Sequence, residues 1–248
     1  GTVIGTLVAL GLTLVELKKD GLLTGGRWIP GAIYFRRILP IFGSVFSEQG
    51  FERIGMLIFA RIAADLGTVG FAVHNICMNI CDIYYCFAVG FGKASMVLAG
   101  QSCGRGSVFD WLRYRRVGIR WTLLFSTISF VLTVVFRKEI FSIYSDSPET
   151  LALSGTVMVL AALVSYPEAH ALVAAGILRG SGRTASVAAY SFVSVTILRP
   201  IMTAIFFYVL GLGIVGIWMA LLFDQCIRAS CAEFLVHRLD YMRAPAKA

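Results

Sequence analysis

Long stretches without a formally charged residue constrain this chain more than any other feature of its sequence. Residues 200–223 contain 24 consecutive positions, and residues 150–167 contain 18, without Asp, Glu, Lys or Arg. A helix needs roughly 20 apolar residues to cross a bilayer. Charged residues make up only 15% of the chain, against about 25% in soluble globular domains. The sequence therefore predicts that most of the chain lies in lipid, and it excludes a soluble domain and a disordered chain.

These stretches predict an all-α polytopic membrane protein in which a truncated first span precedes six full spans. The predicted spans cover residues 1–17, 39–64, 68–101, 118–136, 151–178, 185–210 and 214–236. Residues 18–38 form a predicted connector, residues 39–236 a six-span lobe, and residues 237–248 a tail. The first residue is Gly rather than Met, and no charged segment precedes the first apolar run. We therefore expect a fragment of a longer protein rather than a signal peptide.

Basic residues lie almost entirely on one side of the predicted membrane. If the spans alternate in direction, 16 Lys and Arg residues fall on one side, and only Arg137 and Lys138 fall in a connector on the other. Cytoplasmic loops carry such an excess, so the sequence predicts a multi-pass protein of the plasma (inner) membrane with a cytoplasmic C-terminus. The net charge of +8 then belongs mainly to these connectors. The lipid bilayer is the expected partner, and nucleic acid is not.

Five acidic residues lie at bilayer depth in the predicted spans, where ionisable groups are costly and usually face a cavity or a partner. They are Glu48, Glu52, Asp82, Glu168 and Asp224. With a rise of 1.5 Å per residue, Glu48 lies roughly 15 Å and Glu168 roughly 16 Å from the cytoplasmic ends of their spans, near the middle of a core about 30 Å thick. Neither has an obvious cation nearby in the sequence. These two carboxylates are therefore the candidate binding sites for a proton or Na⁺.

The other charged residues in the spans have both a structural and a functional interpretation. For Asp224 the structural one is favoured, because Arg228 lies four residues later on the same helix face. We expect Arg199 to pair with an acid or to extend toward the outer face. We expect Lys93 to point into a cavity or toward an acid. The predicted supporting or cavity-lining residues are Glu52, Asp82, Lys93, Arg199 and Asp224.

Short motifs in the chain do not indicate an enzyme. The segment Gly211-Leu-Gly213-Ile-Val-Gly216 fits the dinucleotide-binding pattern, but it lies between two predicted spans rather than between a strand and a helix, so it predicts a hairpin turn. The P-loop and zinc-protease motifs are absent from the sequence. His74, Cys77 and Cys81 share a helix face, but buried thiols usually pack as small apolar groups. We expect no metal and no disulfide.

Several motifs together resemble, in order and spacing, the C-terminal half of the multidrug and toxic compound extrusion (MATE) transporters of the MOP superfamily. Glu48 follows Pro40 by eight residues, as the acid does in the NorM-like branch, and Glu168 precedes Gly176 by eight. The other matching segments are Leu66-Gly67-Thr68, His74-Asn75-Ile76, Gly90-Phe91-Gly92, Gly100-Gln101, Gly176-Ile-Leu178-Arg179-Gly180, Leu198-Arg199-Pro200 and the final hairpin from Gly211 to Arg228. The resemblance covers essentially the whole chain.

The resemblance implies one six-span lobe of a twelve-span transporter. Residues 1–17 would be the last span of a missing N-terminal six-span lobe, and residues 18–38 would link the two lobes. The implied activity is antiport coupled to H⁺ or Na⁺, which exports small organic and often cationic drugs and toxic compounds by alternating access. Glu48 and Glu168 would be the coupling acids, and no cofactor beyond the coupling ion is implied. Lys93 departs from the family pattern.

Three other functions are weighed against this one. Lys93 and Arg199 keep open a flippase for lipid-linked saccharides of the same superfamily. An intramembrane enzyme that uses Glu168 and His170 is disfavoured, because residues two apart on a helix are separated by about 200°. A purely structural subunit is disfavoured, because five intramembrane acids exceed what helix packing needs.

Overall fold

The structure is a computed structural model that describes residues 2–19, 21, 32–144 and 147–239. These residues form nine α-helices and two π-helical segments. By their contacts they divide into two units at residues 42 and 43. The first unit contains α1 (Thr2–Lys19) and the first residues of α2 (Ala32–Ala64).

The second unit contains the rest of α2 and the remaining helices. These are α3 (Gly67–Arg105), α4 (Val108–Val135), α5 (Arg137–Ser142), α6 (Pro148–Gly180), α7 (Thr184–Ser191), α8 (Arg199–Ala204) and α9 (Gly213–Arg238). One π-helical segment, Phe192–Leu198, joins α7 to α8, and a second, Ile205–Val209, follows α8. Residues 184–209 therefore form one continuous helical stretch.

Five helical stretches in the described residues are long and apolar enough to cross a membrane. They are Gly67–Arg105, Val108–Val135, Gly155–Gly180, Thr184–Val209 and Gly213–Arg238. Helix α2 has the length of a span, but its middle carries Glu48, Glu52 and Arg53. The predicted all-α polytopic class is thus confirmed.

Helix α2 begins earlier than the sequence suggests. It starts at Ala32, so Pro40 lies inside the helix and not at its start. The proline removes one backbone hydrogen bond. In lipid no water can replace the remaining backbone bonds, so the helix continues through the proline. The helix therefore starts seven residues before the predicted span, and the start of the span itself stays a prediction.

Short turns connect neighbouring helices and make them antiparallel. Gly106 ends α3 with a φ of 66°, and the hydroxyl of Ser107 accepts a hydrogen bond from the Asp110 amide (3.3 Å) as the N-cap of α4. Gly211 and Gly213 also have positive φ angles, 64° and 56°, and Gly213 is the first residue of α9. The G-x-G-x-x-G segment is therefore the hairpin turn that the sequence predicts.

Helices α3, α6 and α9 contribute most of two buried apolar clusters. The first surrounds Trp218 and includes Phe59, Phe141 and Met158. The second surrounds Trp111 and includes residues of α6 and α9. The clusters fix α6 between its neighbours, so that its side chains face other helices over most of its length.

Helices α3 and α6 approach each other most closely at glycines. A Cβ added at Gly176 would overlap the Gly92 carbonyl, and one added at Gly180 would overlap the Met96 carbonyl. Gly176 and Gly180 are four residues apart, the spacing of small residues that lets membrane helices pack backbone to backbone. The segment that carries part of the family resemblance is therefore a helix-packing surface.

Replacing Gly176 with Ala should lower the free energy of unfolding in detergent by about 1–3 kcal/mol, because the added methyl forces α3 and α6 apart. The control is Gly155→Ala on the same helix, where a Cβ meets no atom within 4 Å, and it should lose no stability. Denaturant titration followed by circular dichroism measures both variants. Equal stability of the two would contradict close packing at Gly176.

Candidate functional site

A cavity of about 180 Å³ lies between α2, α3, α6, α8 and α9, and we call it the main cavity. Three acidic and three basic side chains line it: Glu52, Arg53, Asp82, Glu168, Arg199 and Arg228. Ionisable residues between membrane helices are candidates for a functional site, so the main cavity is the candidate site of this chain.

Glu168 lies one residue after Pro167 on α6 and faces two cavities. It lines the main cavity, and it also lines a second cavity of about 10 Å³ between α3, α4 and α6, which we call the small cavity. Its Oε1 accepts a hydrogen bond from Gln225 Nε2 (3.3 Å). Glu168 forms no ion pair with any residue that the structure describes.

Glu48 lies elsewhere, buried on α2 with 2% of its surface exposed. Its carboxylate is paired with the Arg179 guanidinium of α6 and accepts a hydrogen bond from the Ser191 hydroxyl (3.4 Å). It does not line the main cavity. Arg179 is the penultimate residue of α6, so Glu48 lies within reach of an arginine side chain from that end of the helix. The sequence missed this cation because it comes from 131 residues away.

A buried ion pair joins α8 to α9. Arg199 Nε and Nη2 both contact Asp224 Oδ2, at 2.9 and 2.5 Å, and the side chains are 3% and 1% exposed. The Ser194 hydroxyl donates to the other carboxylate oxygen. The predicted pairing of Asp224 with Arg228 is therefore wrong, whereas the predicted pairing of Arg199 with an acid is confirmed.

The π-helical segment before α8 explains how these groups meet. Pro200 has no amide hydrogen, so it cannot bond to the carbonyl four residues earlier. The wider turns of a π-helix are common at functional sites. Residues on or beside this segment contact other helices: Ser191 contacts Glu48, and Ser194 and Arg199 contact Asp224.

Arg228 pairs with a different acid from the one expected. Its Nη1 lies 3.5 Å from Glu52 Oε1. The Nε atom of Arg228 and the Oε1 atom of Gln225 are buried and have no hydrogen-bond partner among the described residues. An unpaired donor and an unpaired acceptor are therefore buried on neighbouring turns of α9, beside the main cavity.

Asp82 and Lys93 share a face of α3, but only Asp82 lines the main cavity. The two residues are separated by three helical turns, about 16 Å along the axis. Lys93 is exposed and forms no ion pair with a described residue. The neighbouring Gly92 packs against Leu172, which turns the side chain at position 93 away from α6. Lys93 therefore lies outside the lining of the main cavity and pairs with no acid among the described residues, and its role as a cavity-lining residue stays a prediction.

A charged cluster that the sequence did not reveal joins α4, α6 and α9. Glu233 contacts Arg115, His170 (3.1 Å) and His237 (3.0 Å). Most of its members come from different helices, so the spacing of residues along the sequence does not predict the cluster. His170 therefore faces Glu233, which adds a geometric argument against its acting with Glu168 in an enzyme.

The three residues considered as a metal site lie in or beside the apolar cluster around Trp218. His74 lies among the rings of Phe59, Phe71 and Trp218, at centroid distances of 5.5, 6.2 and 5.7 Å. Cys77 belongs to the buried cluster around Trp218. Cys81 lines the main cavity and lies 3.7 Å from the Ala161 carbonyl. No group of three potential ligands in the described part of the chain is placed to hold a metal ion.

Comparisons with known proteins agree with this architecture. The family model MatE matches residues 40–205. Among solved structures, a MATE protein in the bent conformation shares 13% identity at a TM-score of 0.77 over 85% of this chain and 46% of that chain. An outward-facing multidrug resistance MATE family transporter of the MOP superfamily shares 18% identity at a TM-score of 0.74. This match covers 82% of this chain and 46% of that chain.

A third structure is a MOP superfamily transporter from Pyrococcus furiosus that is described as having a binding pocket of reverse polarity. It shares 16% identity at a TM-score of 0.72 and covers 79% of this chain and 43% of its own. At these identities the likeness shows the fold. The chain spans somewhat less than half the length of each of these structures.

Five helical stretches long and apolar enough to cross a membrane define the class of the chain as a polytopic membrane protein. The family match covers more than half of the chain, so the chain belongs to the MATE family of transporters. The site residues then acquire a specific context, because the proteins of this family are transporters and not enzymes.

Proposed function

We propose that this chain is the C-terminal lobe of an antiporter that exports small organic, often cationic, compounds in exchange for H⁺ or Na⁺. The supporting observation is Glu168, a carboxylate without an ion-pair partner among the described residues, which lines a cavity between membrane helices. A carboxylate in such a place can bind a cation or a proton and release it when the surroundings change.

The geometry supports competition between ion and substrate in the main cavity. Glu168 and Asp82 both line it, and neither is held by a described cation. A cationic substrate that approached these acids would displace H⁺ or Na⁺, whereas ion binding would neutralise them and weaken substrate binding.

Glu48 is the second proposed coupling acid, with a different task. Its pairing with Arg179 ties α2 to the end of α6. Protonation of Glu48 would break this pair and leave Arg179 without its buried partner. We therefore assign Glu48 to the step in which the helices move, and Glu168 to the step in which the ion and the substrate exchange.

The remaining parts of the proposal concern the whole protein. It would lie in the plasma membrane with a cytoplasmic C-terminus, and a six-span N-terminal lobe would complete the central cavity. The lipid bilayer, this lobe and the exported compounds are its proposed partners, and H⁺ or Na⁺ is the only cofactor proposed.

Efflux from vesicles with imposed ion gradients tests the function. Full-length protein should export a cationic dye when a proton or a Na⁺ gradient is imposed, and collapse of the effective gradient should stop export. The Glu48→Gln variant should lower the rate at least about tenfold, because a neutral amide cannot keep the charged pair with Arg179. Export that ignores both gradients would contradict cation coupling.

One observation favours a second function, a flippase for lipid-linked saccharides. Arg53 lines the main cavity and has no ion-pair partner in the described ranges, so it suits an anionic phosphate. Lys93 and Arg199 no longer favour this function, since the first lies outside the cavity and the second is paired. Accumulation of a lipid-linked precursor in a deletion strain with unchanged drug tolerance would support the flippase.

A further inference from the structure

The small cavity on the far side of Glu168 has the size of one water molecule. Its volume of about 10 Å³ is close to the minimum that one water requires, provided that two to four polar partners surround it. The lining supplies such partners, because five hydroxyl side chains and one carboxylate face it: Tyr84, Thr122, Ser126, Ser129, Ser165 and Glu168.

The hydroxyl side chains of α4 form a single line along this helix. Thr122, Ser126, Ser129 and Thr133 follow at intervals of four, three and four residues, so they share one helix face. Three of them are buried, at 1% to 5% exposure. The opposite face of α4 carries exposed apolar residues such as Leu124 and Ile128. The polar face of α4 is thus directed into the protein.

Not all of these hydroxyls are used to hold the helices together. Thr122 donates to the Gly118 carbonyl at 2.7 Å, and Ser126 donates to the Ser165 carbonyl at 3.2 Å. The Ser129 hydroxyl and Glu168 Oε2, by contrast, make no hydrogen bond with the residues that the structure describes. These two groups remain available to a water molecule in the small cavity.

Tyr84 extends the line of polar groups beyond the small cavity. Its ring lines the cavity, and its hydroxyl is hydrogen-bonded to the Thr133 hydroxyl. Thr133 lies two residues before α4 ends at Val135. The polar groups therefore run from Glu168 to the end of α4 that adjoins α5.

The two sides of Glu168 differ in charge. On the side of the main cavity the charged groups are Glu52, Asp82, Arg53, Arg199 and Arg228. On the side of the small cavity, Tyr84 is the single titratable side chain in the lining apart from Glu168 itself. Neutral hydroxyls can pass a proton without holding an ion or competing with a charged substrate.

We propose that one water molecule in the small cavity and the hydroxyls of Tyr84 and Thr133 form a proton path between Glu168 and the α5 end of α4, separate from the main cavity. The proton leaves the Glu168 carboxyl for the water, which releases one of its own to the Tyr84 oxygen. Tyr84 passes its original proton to Thr133 in the same way, and Thr133 releases its own proton to a solvent water at the α5 end of α4. The Glu168 carboxyl thus loses one proton and the solvent water gains one, while each oxygen between them gains one and loses one. The path rests on the proposed function in that Glu168 is the coupling carboxylate.

Infrared difference spectroscopy of full-length protein in lipid tests this path without any transport measurement. The carboxyl band of protonated Glu168 is assigned by its loss in Glu168→Gln, and its shift on transfer to D₂O reports how fast the proton exchanges. Tyr84→Phe should slow the exchange about tenfold, because one hydrogen-bonded link is removed. Ser129→Ala should slow it too, by removing a partner of the water.

A matched control is available in the same helices. The Tyr166 hydroxyl donates to the Thr127 hydroxyl of α4 at 3.2 Å, but neither residue lines either cavity. Tyr166→Phe should therefore leave the exchange rate unchanged. Failure of drug export would count against the proposed function and leave this result intact.

Three results would overturn the path. The first is equal exchange rates in Tyr84→Phe, Ser129→Ala and the native protein. The second is slowing by Asp82→Asn alone, which would mean that protons reach Glu168 through the main cavity. The third is the absence of a Glu168 carboxyl band at every pH, because a carboxylate that is never protonated needs no path. Size-exclusion chromatography checks that each variant is folded.

Discussion

Cation-driven export is expected to fall at least about tenfold, toward the level of protein-free vesicles, when Glu168 is replaced by Gln. The amide has the same shape and can still bond to Gln225, which lies 3.3 Å from the carboxylate. It can neither carry a proton nor neutralise a bound cation, so the exchange of ion and substrate is lost. Vesicle efflux of a cationic dye, with the amount of inserted protein measured in parallel, gives this result.

Glu139→Gln serves as the control for Glu168→Gln. Glu139 is an exposed acid on α5 that lines neither the main nor the small cavity. Its replacement removes the same charge from the chain and should leave efflux unchanged. Full efflux by the Glu168 variant would assign coupling to another acid, and Asp82 would be the next candidate because it lines the same cavity.

The sequence predicted the class of fold because the bilayer imposes simple rules. The uncharged stretches had to become helices, since only helices satisfy every backbone group in lipid within one segment. It also predicted that charged residues within the spans would mark the site, and four of the five intramembrane residues named as supporting lie at the main cavity or pair beside it. Their role as coupling or supporting residues stays a prediction.

The sequence could not predict the partners of these charges. The spacing of Asp224 and Arg228 suggests an ion pair within one helix. In the structure, Asp224 pairs instead with Arg199 of α8, whose guanidinium donates two hydrogen bonds to the carboxylate. Arg228 then turns to Glu52. Such choices depend on which helices meet and at what height, and a local spacing rule contains neither.

The small cavity was beyond sequence reasoning for a related reason. Hydroxyl residues are common in membrane helices, where they often bond to their own backbone. The regular spacing from Thr122 to Thr133 was visible in the sequence. Its meaning depends on Tyr84 and Glu168 facing the same space from two other helices, and only the packing of α3, α4 and α6 reveals this.

The Arg199–Asp224 pair leads to the second large effect. Asp224→Asn should lower the free energy of unfolding in detergent by about 3–5 kcal/mol, because it leaves the Arg199 charge buried without its partner. Denaturant titration followed by tryptophan fluorescence measures the change. The control is Asp65→Asn, which breaks the exposed Arg61–Asp65 pair (2.6 Å) and should change stability little.

Replacing both partners shows how much the ion pair itself contributes to the free energy of unfolding. The single variant shows instead how much stability is lost when one charge is left buried without its partner. Arg199→Met combined with Asp224→Leu should restore the stability that Asp224→Asn loses, because well-packed apolar side chains often replace a buried ion pair without loss. If the double variant is as unstable as the single one, the pair itself stabilises the joint between α8 and α9. If it is stable but transports poorly, the charges serve the main cavity, where Arg199 also lies, rather than the fold.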